Sequence, residues 1–376
     1  MDADVAVIGV GAIGSMAMWR LAERGQKVLG FEQFGIGHDR SAVGGGSRIF
    51  RTAYKEGFEY VPLNQKSLDL WRELEEKSSN DLLTLNGCLT IGNAQLDSIK
   101  NVKKSIDDFN LEHEILDRDQ AKKYYPQHTL LEDEIMILDK NGGFLRPERS
   151  IISAVKVAVS YGAEAYSYTK VLDVIPDDKG VTIITNEKSY RVKKAVITAG
   201  PWTDTLIKSY KKQLINKRFI MTWFSPLQDI SLFEPDKFPS FSRNTKGHTI
   251  SGAPIIDGNM VRISNNTKLY EMKDSEEFDK NVRIDELNSV INSVKSYFPD
   301  LNPFPVRSDA FMDNFSPDKN PIVGSVPGME NTISLCGFSG HGFKYSPIMG
   351  NIAADFVEKE GSDDLIDALS SMRLSD

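Results

Sequence analysis

The chain has 376 residues, of which 40% are hydrophobic and 26% charged, an ordinary composition for a globular protein with room for two lobes. Its formal net charge of −8 argues against a nucleic-acid partner, because phosphate binding needs clustered Lys and Arg. No apolar stretch approaches membrane-spanning length and the N-terminal residues do not resemble a secretory signal, so a cytoplasmic protein is expected. Cys88 and Cys336 form no CxxC pair, and no cluster has metal-ligand spacing, so no metal site is expected.

The first 32 residues have a pattern typical of a dinucleotide-binding unit. Residues 5–8 are an apolar run suited to a buried parallel strand, a helical pattern follows, and residues 27–31 form a second apolar run that ends at Glu32. The negative phosphates of a dinucleotide are attracted to the helix amino end, and Glu32 can bond ribose hydroxyls. An acid at this position favours FAD or NAD over NADP, and this unit alone does not choose between the first two.

Three glycines between the first strand and the helix, Gly9, Gly11 and Gly14, fit the GxGxxG motif. Gly9 permits the tight turn, Gly11 lets the backbone approach a pyrophosphate, and Gly14 lets the helix pack against the strand. Because strand, helix, second strand and acid all agree with the motif, the pattern indicates a cofactor site more strongly than the glycines alone would.

The rest of the chain alternates strands and helices, with small-residue segments at 37–46, 199–202 and 337–344 where backbone could lie close to a flat ligand. Helices are predicted at residues 61–76, 97–109, 117–125, 147–161, 284–297 and 348–357. Strands are predicted at residues 82–91 (as a pair), 171–175, 181–185, 195–198, 219–224, 260–264 and 333–336.

Residues 337–344, with the sequence GFSGHGFK, resemble the carboxy-terminal signature of the monomeric sarcosine oxidase and N-methyltryptophan oxidase family. Other stretches resemble the same family in the same order, and the likeness is weakest between about residues 226 and 305. These stretches are residues 45–54, 60–63, 142–145, 195–202, and 316–318 followed by 322–323. The resemblance favours FAD over NAD.

The resemblance implies an α/β fold in which a Rossmann-like FAD-binding domain, discontinuous in sequence, is joined to a mixed-sheet α+β substrate domain. The expected FAD-binding domain spans residues 1–80, 143–212 and 316–376, and the expected substrate domain spans residues 81–142 and 213–315. Family members oxidise the C–N bond of secondary amino acids, pass hydride equivalents to the flavin and regenerate it with oxygen, which gives hydrogen peroxide and an imine. The implied substrate is a small amine bearing a carboxylate, and the implied assembly is a monomer or small homo-oligomer.

Individual residues match family positions. Arg51 and Lys344 match the pair that holds the substrate carboxylate, a task to which the planar Arg fork is suited. Arg48 matches an arginine placed against the flavin ring, and His341 is expected to pack structurally instead of acting as a general base. The residues expected to contact FAD are Gly9, Gly11, Ala12, Ile13, Gly14, Glu32, Gln33, Gly45, Ser47, Arg48, Val171, Ala199, Gly200, Trp202, Gly337, Gly340, His341, Gly342, Phe343 and Lys344.

Two departures from the family concern the flavin. Phe311 stands where many members carry the cysteine that links FAD covalently, so FAD is expected to bind without a covalent link. Arg262, the fourth expected catalytic residue beside Arg48, Arg51 and Lys344, stands where the family places a lysine that promotes the reaction with oxygen. Arg keeps the positive charge but differs from Lys in shape and hydration. A dehydrogenase that uses another electron acceptor therefore stays open beside the oxidase.

A third departure concerns the substrate pocket. Family histidine and tyrosine positions fall on Gly44, on Asn266, and on Ile250 or Ser251, so sarcosine itself is not the expected substrate. A protein that holds FAD only for structure, or as a subunit of a larger complex, is a further alternative. The retained pair of Arg51 and Lys344 argues against it, because a structural flavoprotein needs no carboxylate-binding cations.

Overall fold

The computed structural model describes residues 1–55, 57–245 and 247–374. The α-helices in those residues are α1 (Ala12–Glu23), α2 (Val61–Ser78), α3 (Asp97–Phe109), α4 (Arg118–Tyr124), α5 (Pro147–Ser160), α6 (Thr203–Leu206), α7 (Ile284–Tyr297) and α8 (Ser346–Lys359). The strands are β1 (Ala3–Ile8), β2 (Val28–Phe31), β3 (Arg48–Phe50), β4 (Leu83–Thr84), β5 (Cys88–Asn93), β6 (His113–Leu116), β7 (Glu134–Asp139), β8 (Gly143–Leu145), β9 (Glu164–Tyr166), β10 (Val171–Asp177), β11 (Gly180–Thr185), β12 (Ser189–Ile197), β13 (Ile215–Phe224), β14 (Ser240–Thr245), β15 (His248–Ala253), β16 (Val261–Asn265), β17 (Tyr270–Met272), β18 (Arg307–Phe315), β19 (Ile322–Ser325) and β20 (Thr332–Cys336).

The first sheet has a parallel centre with the order β20-β12-β1-β2-β9. The antiparallel strands β11 and β10 extend it from β12, and β19 pairs with β20. Helix α1 packs between α5 and α8, and these helices share one hydrophobic core with β1 and β20. Because the strands run parallel, the carboxyl ends of β1, β2, β12 and β20 meet at one edge, where α/β proteins bind ligands.

The second sheet is mixed, with the order β17-β13-β16-β15-β14-β5-β7-β6 and with β18 paired to β13. One of its faces is mostly apolar, with Ile91, Phe241, Ile250 and Ile263 in the core that includes helix α7. The buried Arg243 lies on this face and is ion-paired with Glu134. Neighbouring residues of a strand point to opposite faces, so Phe224 lies in this core while Trp223 lies on the other face with Met221 and Phe311. That other face is directed toward the loop that precedes β3.

A small third sheet has the order β3-β8-β4. The prediction that residues 82–91 form a strand pair was wrong, because β4 and β5 belong to different sheets and do not pair with each other. Leu83 pairs with Leu145 in the third sheet, whereas Cys88 pairs with Asp139 in the second. Gly87, at φ +88°, makes the turn between them.

The predicted helices and strands are present within a few residues of their expected bounds, and the α/β fold class is confirmed. The predicted bounds of α3 and α7 agree with the structure residue for residue. The strands that were not predicted are β3, β6, β7, β8, β9, β14, β15, β17, β18 and β19. In the described part of the chain, no helix combines the length and apolar character needed to cross a bilayer.

Candidate active site

A deep cleft opens at the carboxyl edge of the first sheet. It is lined by Ile8 and Phe31 at the ends of β1 and β2, by Thr198 just after β12, and by Leu335 in β20. The cleft encloses about 1150 Å³, part of it open to solvent, and its lining runs from the glycine turn after β1 to Phe343. A ligand as long as a dinucleotide can therefore lie along this edge.

The turn between β1 and α1 leaves no room for side chains at two of its glycines. A Cβ on Gly14 would lie 1.9 Å from the carbonyl oxygen of Gly9, and a Cβ on Gly9 would lie 2.8 Å from the Cα of Ala199. Gly9 also has a φ of +88°, which glycine adopts without strain. A Cβ on Gly11 would meet nothing within 4 Å, so the backbone of Gly11 faces open space at the start of the helix.

Glu32 is buried at the end of β2 and fixes the neighbouring loops. Its carboxylate accepts hydrogen bonds from the backbone amides of Val10 and Phe34, each at 3.0 Å, and its Oε1 lies 3.4 Å from Nε2 of His38. The carboxylate is thus held at the rim of the cleft, next to the glycine turn.

Most of the residues predicted to contact the cofactor line this cleft. They are Gly9, Gly11, Ala12, Ile13, Glu32, Gln33, Arg48, Val171, Ala199, Gly200, Trp202, Gly340, Gly342 and Phe343. The residues Gly14, Gly45, Ser47, Gly337, His341 and Lys344 lie beside or behind the wall, and their assignment as cofactor contacts stays a prediction. Sequence reasoning missed other lining residues, among them His38, Ser41, Ala42, Val43, Thr169, Lys170, Thr198, Asp313 and Phe338.

Arg48 is anchored by backbone carbonyl groups at the cleft wall. Its guanidinium donates to the carbonyl oxygens of Ser47 at 2.5 Å and Gly44 at 2.7 Å, and to that of Ala42. Burial lowers the pKa of Arg48 to about 10, so the group stays charged at neutral pH. The carbonyl groups fix its position, and the carboxylates of Glu148 and Asp313 act on its charge from a distance.

Arg262 places a second buried cation nearby. Its Nε donates to the Oγ of Ser47 at 2.8 Å, which joins β16 of the second sheet to the loop before β3. Burial and the like charge of Arg48 lower the pKa of Arg262 to about 9. Two buried like charges repel each other, and an electron-rich ligand between the sheets would offset that repulsion.

Arg51 and Lys344 meet at the ring of Tyr54. The guanidinium carbon of Arg51 lies 5.6 Å and the Nζ of Lys344 4.7 Å from the centre of that ring, and both cations are buried. Lys344 also donates to the hydroxyl of Tyr54 at 3.1 Å and to the carbonyl oxygen of His341 at 2.6 Å. The structure therefore brings together the two cations that the sequence predicted as a pair.

His341 lies in a hydrogen-bonded network behind these cations. Its Nε2 lies 2.9 Å from the carbonyl oxygen of Lys319, and its Nδ1 lies 2.8 Å from the hydroxyls of both Tyr54 and Tyr345. A carbonyl only accepts, so Nε2 carries the proton and Nδ1 accepts from a tyrosine. This arrangement favours the structural role predicted for His341.

Phe311 and Asp313 lie on the same face of β18, two residues apart. Phe311 is fully buried with Met221 and Trp223, and a Cβ on Gly44 would lie 2.2 Å from its ring. Asp313 lines the cleft, and burial raises the pKa of its carboxyl to about 6 although backbone amides of Asn314 and Gly340 donate to it. The alternation of strand side chains links Asp313 to Phe311, a signal that could have found it in the sequence.

The cysteines lie apart from the cleft lining. Cys88 and Cys336 are both buried, and burial raises the pKa of each thiol, that of Cys88 to about 12. Such thiols behave as small apolar side chains. Among the described residues, no group of three or more His, Cys, Asp or Glu side chains could hold a metal ion.

Comparison with known proteins identifies the family. The model of the FAD-dependent oxidoreductase (DAO) family matches residues 4–356. The chain is 30% identical to the monomeric sarcosine oxidase of Streptomyces avermitilis over 94% of this chain and 93% of that protein. It is also 30% identical to the N-methyl-L-tryptophan oxidase of Salmonella dublin over 95% of both. The chain belongs to the family of FAD-dependent oxidoreductases.

Solved structures of this FAD-dependent oxidoreductase fold are also similar. NikD, described as an unusual amino acid oxidase essential for nikkomycin biosynthesis, superimposes with a TM-score of 0.86 over 98% of this chain and 97% of its own, at 20% identity. L-Proline dehydrogenase from P. horikoshii gives a TM-score of 0.86 over 100% and 98%, at 18% identity. At these identities the likeness shows the fold alone.

The geometry of the cleft fits FAD. The glycine turn at Gly9 and Gly14 excludes side chains, and the open backbone at Gly11 faces the space where a pyrophosphate would bind the helix amino end. At the other end, Gly340 and Phe343 supply backbone next to Arg48. The cleft therefore offers backbone donors and positive charge to an elongated anionic ligand.

Proposed function

We propose that this FAD-dependent oxidoreductase oxidises the C–N bond of a small secondary amine or N-substituted amino acid that carries a carboxylate. The observation that carries the proposal is the convergence of Arg51 and Lys344, both buried, on the ring of Tyr54. Lys344 directly follows Phe343, which lines the cleft. A buried pair of cations beside a cofactor site is suited to a carboxylate.

FAD, when bound, supplies the acceptor for the hydride equivalent that leaves the carbon next to the nitrogen. The residues of the chain would orient the substrate and supply positive charge around it. The carboxylate clamp, which we define as Arg51 and Lys344, would fix one end of the substrate by charge-assisted hydrogen bonds. Arg48 and Arg262 would offer two buried positive charges to the negative charge that develops during electron transfer, next to the buried side chains of Met221 and Trp223.

We further propose that FAD is bound without a covalent link. Phe311 occupies the position of the family's linking cysteine, and its ring has no nucleophile. The two cysteines of the chain are buried, with raised thiol pKa values, and neither lines the cleft.

The division of the chain into two domains is likewise a proposal. The FAD-binding domain would span residues 1–80, 143–212 and 316–376, and the substrate domain would span residues 81–142 and 213–315. This division assigns the first and second sheets to different domains.

Oxygen is the proposed electron acceptor, with hydrogen peroxide and an imine as products. A dehydrogenase that uses another acceptor is a second candidate. It is favoured by one observation, the arginine at position 262, which is held by Ser47 and does not have the compact ammonium group of lysine.

The products of turnover test the proposed function. The purified enzyme would be incubated with a panel of N-methyl and cyclic amino acids, once in air and once without oxygen but with an artificial electron acceptor. Formation of the carbonyl product with an equal amount of hydrogen peroxide is the expected result in air. Carbonyl product formed only with the artificial acceptor would identify a dehydrogenase, and no product under either condition would overturn amine oxidation.

A further inference from the structure

Four hydroxyl side chains form one line across the second sheet. Ser242 is the register partner of Thr90 in β5 and of Ser251 in β15, and Ser251 is the partner of Ser264 in β16. Register partners on neighbouring strands project their side chains to the same face of a sheet. Thr90, Ser242, Ser251 and Ser264 therefore form a continuous polar strip, which we call the hydroxyl row.

The hydroxyl row is buried, with each member at most 6% exposed. The opposite face of the same strands is mostly apolar, and the buried Arg243 on it is ion-paired with Glu134. Burying a hydroxyl without a hydrogen-bond partner is unfavourable. Nevertheless, within the residues that the structure describes, the Oγ of Ser264 has no such partner. A buried polar strip with an unsatisfied hydroxyl points to a polar ligand.

The hydroxyl row belongs to the same site as the proposed catalytic residues. Arg262 lies two residues before Ser264 on β16 and pairs with Trp223, so its side chain shares this face. The Nζ of Lys55 lies 3.5 Å from the Oγ of Ser242, and the Nδ2 of Asn266 donates to the Oγ of Ser251 at 2.9 Å.

The carboxylate clamp adjoins the other end of the row. Cys88 lies two residues before Thr90 on β5 and therefore on the same face. The positive charges of Arg51, Lys55 and Lys344 all act on the thiol of Cys88 and oppose the rise of its pKa. A substrate held by the clamp would thus extend along hydroxyls instead of apolar side chains.

We infer that the nitrogen of the substrate carries an oxygen-bearing polar substituent, a hydroxyalkyl or carboxyalkyl group, which hydrogen-bonds to Ser242, Ser251 and Ser264. The inference rests on the proposed function and narrows its substrate class. Serine hydroxyls both donate and accept, so they satisfy a hydroxyl or a carboxylate equally. An alkyl group of the same size would leave the hydroxyl of Ser264 without a partner among the described residues, and a site built for hydrogen bonds rejects such an isostere strongly.

The test compares substrates of equal size. N-(2-hydroxyethyl)glycine carries a terminal hydroxyl where N-propylglycine carries a terminal methyl group, and iminodiacetate presents a second carboxylate to Lys55. We expect kcat/KM for N-(2-hydroxyethyl)glycine or iminodiacetate to exceed that for N-propylglycine by about tenfold or more. A Lys55→Met variant that lowers kcat/KM for iminodiacetate but not for N-(2-hydroxyethyl)glycine would assign the carboxylate to Lys55.

Variants of the row separate recognition from folding. Ser264→Ala removes an unsatisfied hydroxyl, so we expect normal FAD content and a several-fold lower preference for the polar substrate over N-propylglycine. Ser67→Ala is a matched control, because Ser67 is equally buried and also without a hydrogen-bond partner among the described residues, but lies in α2. The control should leave the preference unchanged.

Two results would overturn the inference. The first is a wild-type enzyme that oxidises N-propylglycine as efficiently as both polar substrates. This result would overturn the inference about the nitrogen substituent and would leave the proposed function intact. The same conclusion would follow if a Ser242→Ala/Ser251→Ala/Ser264→Ala variant kept its FAD and the full substrate preference. If no amine of either kind reduces the flavin, the proposed function itself is wrong and the inference falls with it.

Discussion

The Nε of Arg262 donates a hydrogen bond to the Oγ of Ser47 across 2.8 Å, and both residues are buried. This bond connects the second sheet to the loop that carries Arg48, so it fixes two like charges relative to each other. A pair of buried guanidinium groups is unfavourable unless negative charge lies nearby. We therefore expect an electron-rich ligand to bind near the hydrogen bond between Arg262 and Ser47.

Replacing Arg262 tests its influence on the electron acceptor. In Arg262→Lys we expect the reduced enzyme to react with oxygen at least about tenfold faster than in Arg262→Met, because a compact ammonium stabilises developing negative charge. The measurement is the rate at which the flavin band recovers when the anaerobically reduced enzyme is mixed with air. Equal rates in the two variants would show that charge at this position does not matter to oxygen.

The carboxylate clamp predicts a specific loss of affinity. In Arg51→Ala or Lys344→Ala, we expect kcat/KM for a carboxylate-bearing substrate to fall by about 30- to 1000-fold, which corresponds to about 2–4 kcal/mol for a buried charged contact. The same variants should change kcat/KM for the matching amine without a carboxylate much less. Steady-state kinetics with both substrates is the measurement, and equal losses for the two would contradict a clamp.

The glycine turn predicts a loss of cofactor. In Gly14→Ala, the new Cβ would lie 1.9 Å from the carbonyl oxygen of Gly9 and 2.6 Å from Oγ1 of Thr198, so α1 must shift. Such overpacking costs about 1–3 kcal/mol, and we expect the Kd for FAD to rise about tenfold. Gly361→Ala is the control, since its Cβ would meet nothing within 4 Å. Fluorescence titration of the apoproteins with FAD measures both constants.

The raised pKa of the buried Asp313 should make the free energy of unfolding depend on pH. Because burial raises its pKa from 3.8 to about 6, its contribution to stability is present below pH 3.8 and is lost as the pH rises through about 6. Asp313→Asn cannot ionise, so the difference between its unfolding free energy and that of the wild type should change in favour of the variant by about 2 kcal/mol between pH 4 and pH 7. Urea unfolding at both pH values measures this.

A matched variant controls the pH prediction. Asp178 is exposed in the turn between β10 and β11, and Asp178→Asn should change the unfolding free energy by the same small amount at both pH values. A gain in Asp313→Asn that is equally large at pH 4 and pH 7 would rule out a buried carboxyl with a raised pKa.

The absence of a covalent link can be checked directly. Precipitation of the protein with acid should release the yellow flavin into the supernatant, because Phe311 offers no atom to bond it. Flavin that stays in the washed precipitate would contradict this prediction and would require a different attachment point, to be found by peptide mapping.

Sequence patterns predicted the fold where side chains follow the period of their element. Helices α3 and α7 have an apolar stripe and definite ends, so their predicted bounds were right. Strands β14 and β15 were missed for a physical reason. Ser240, Ser242 and Ser251 occupy the positions that face the site, so these strands lack the apolar alternation by which a buried strand is recognised.

The candidate site could be predicted from the sequence only where its residues form a local motif. Motifs that bind a shared cofactor, such as the glycine turn, could be read locally. The hydroxyl row could not, because it is assembled by register between strands that are distant in sequence. Of the two positions considered for the family tyrosine, Ile250 lies in the apolar core, whereas Ser251 faces the site.

Anaerobic titration of the purified enzyme with carboxylate-bearing secondary amines tests the central claim most directly. We predict that at least one such compound bleaches the flavin absorbance completely, and that the matching compound without the carboxylate does so far less readily. Flavin that remains oxidised with every amine in a broad panel would contradict amine oxidation, and a protein that binds no FAD even when FAD is added would contradict the account as a whole.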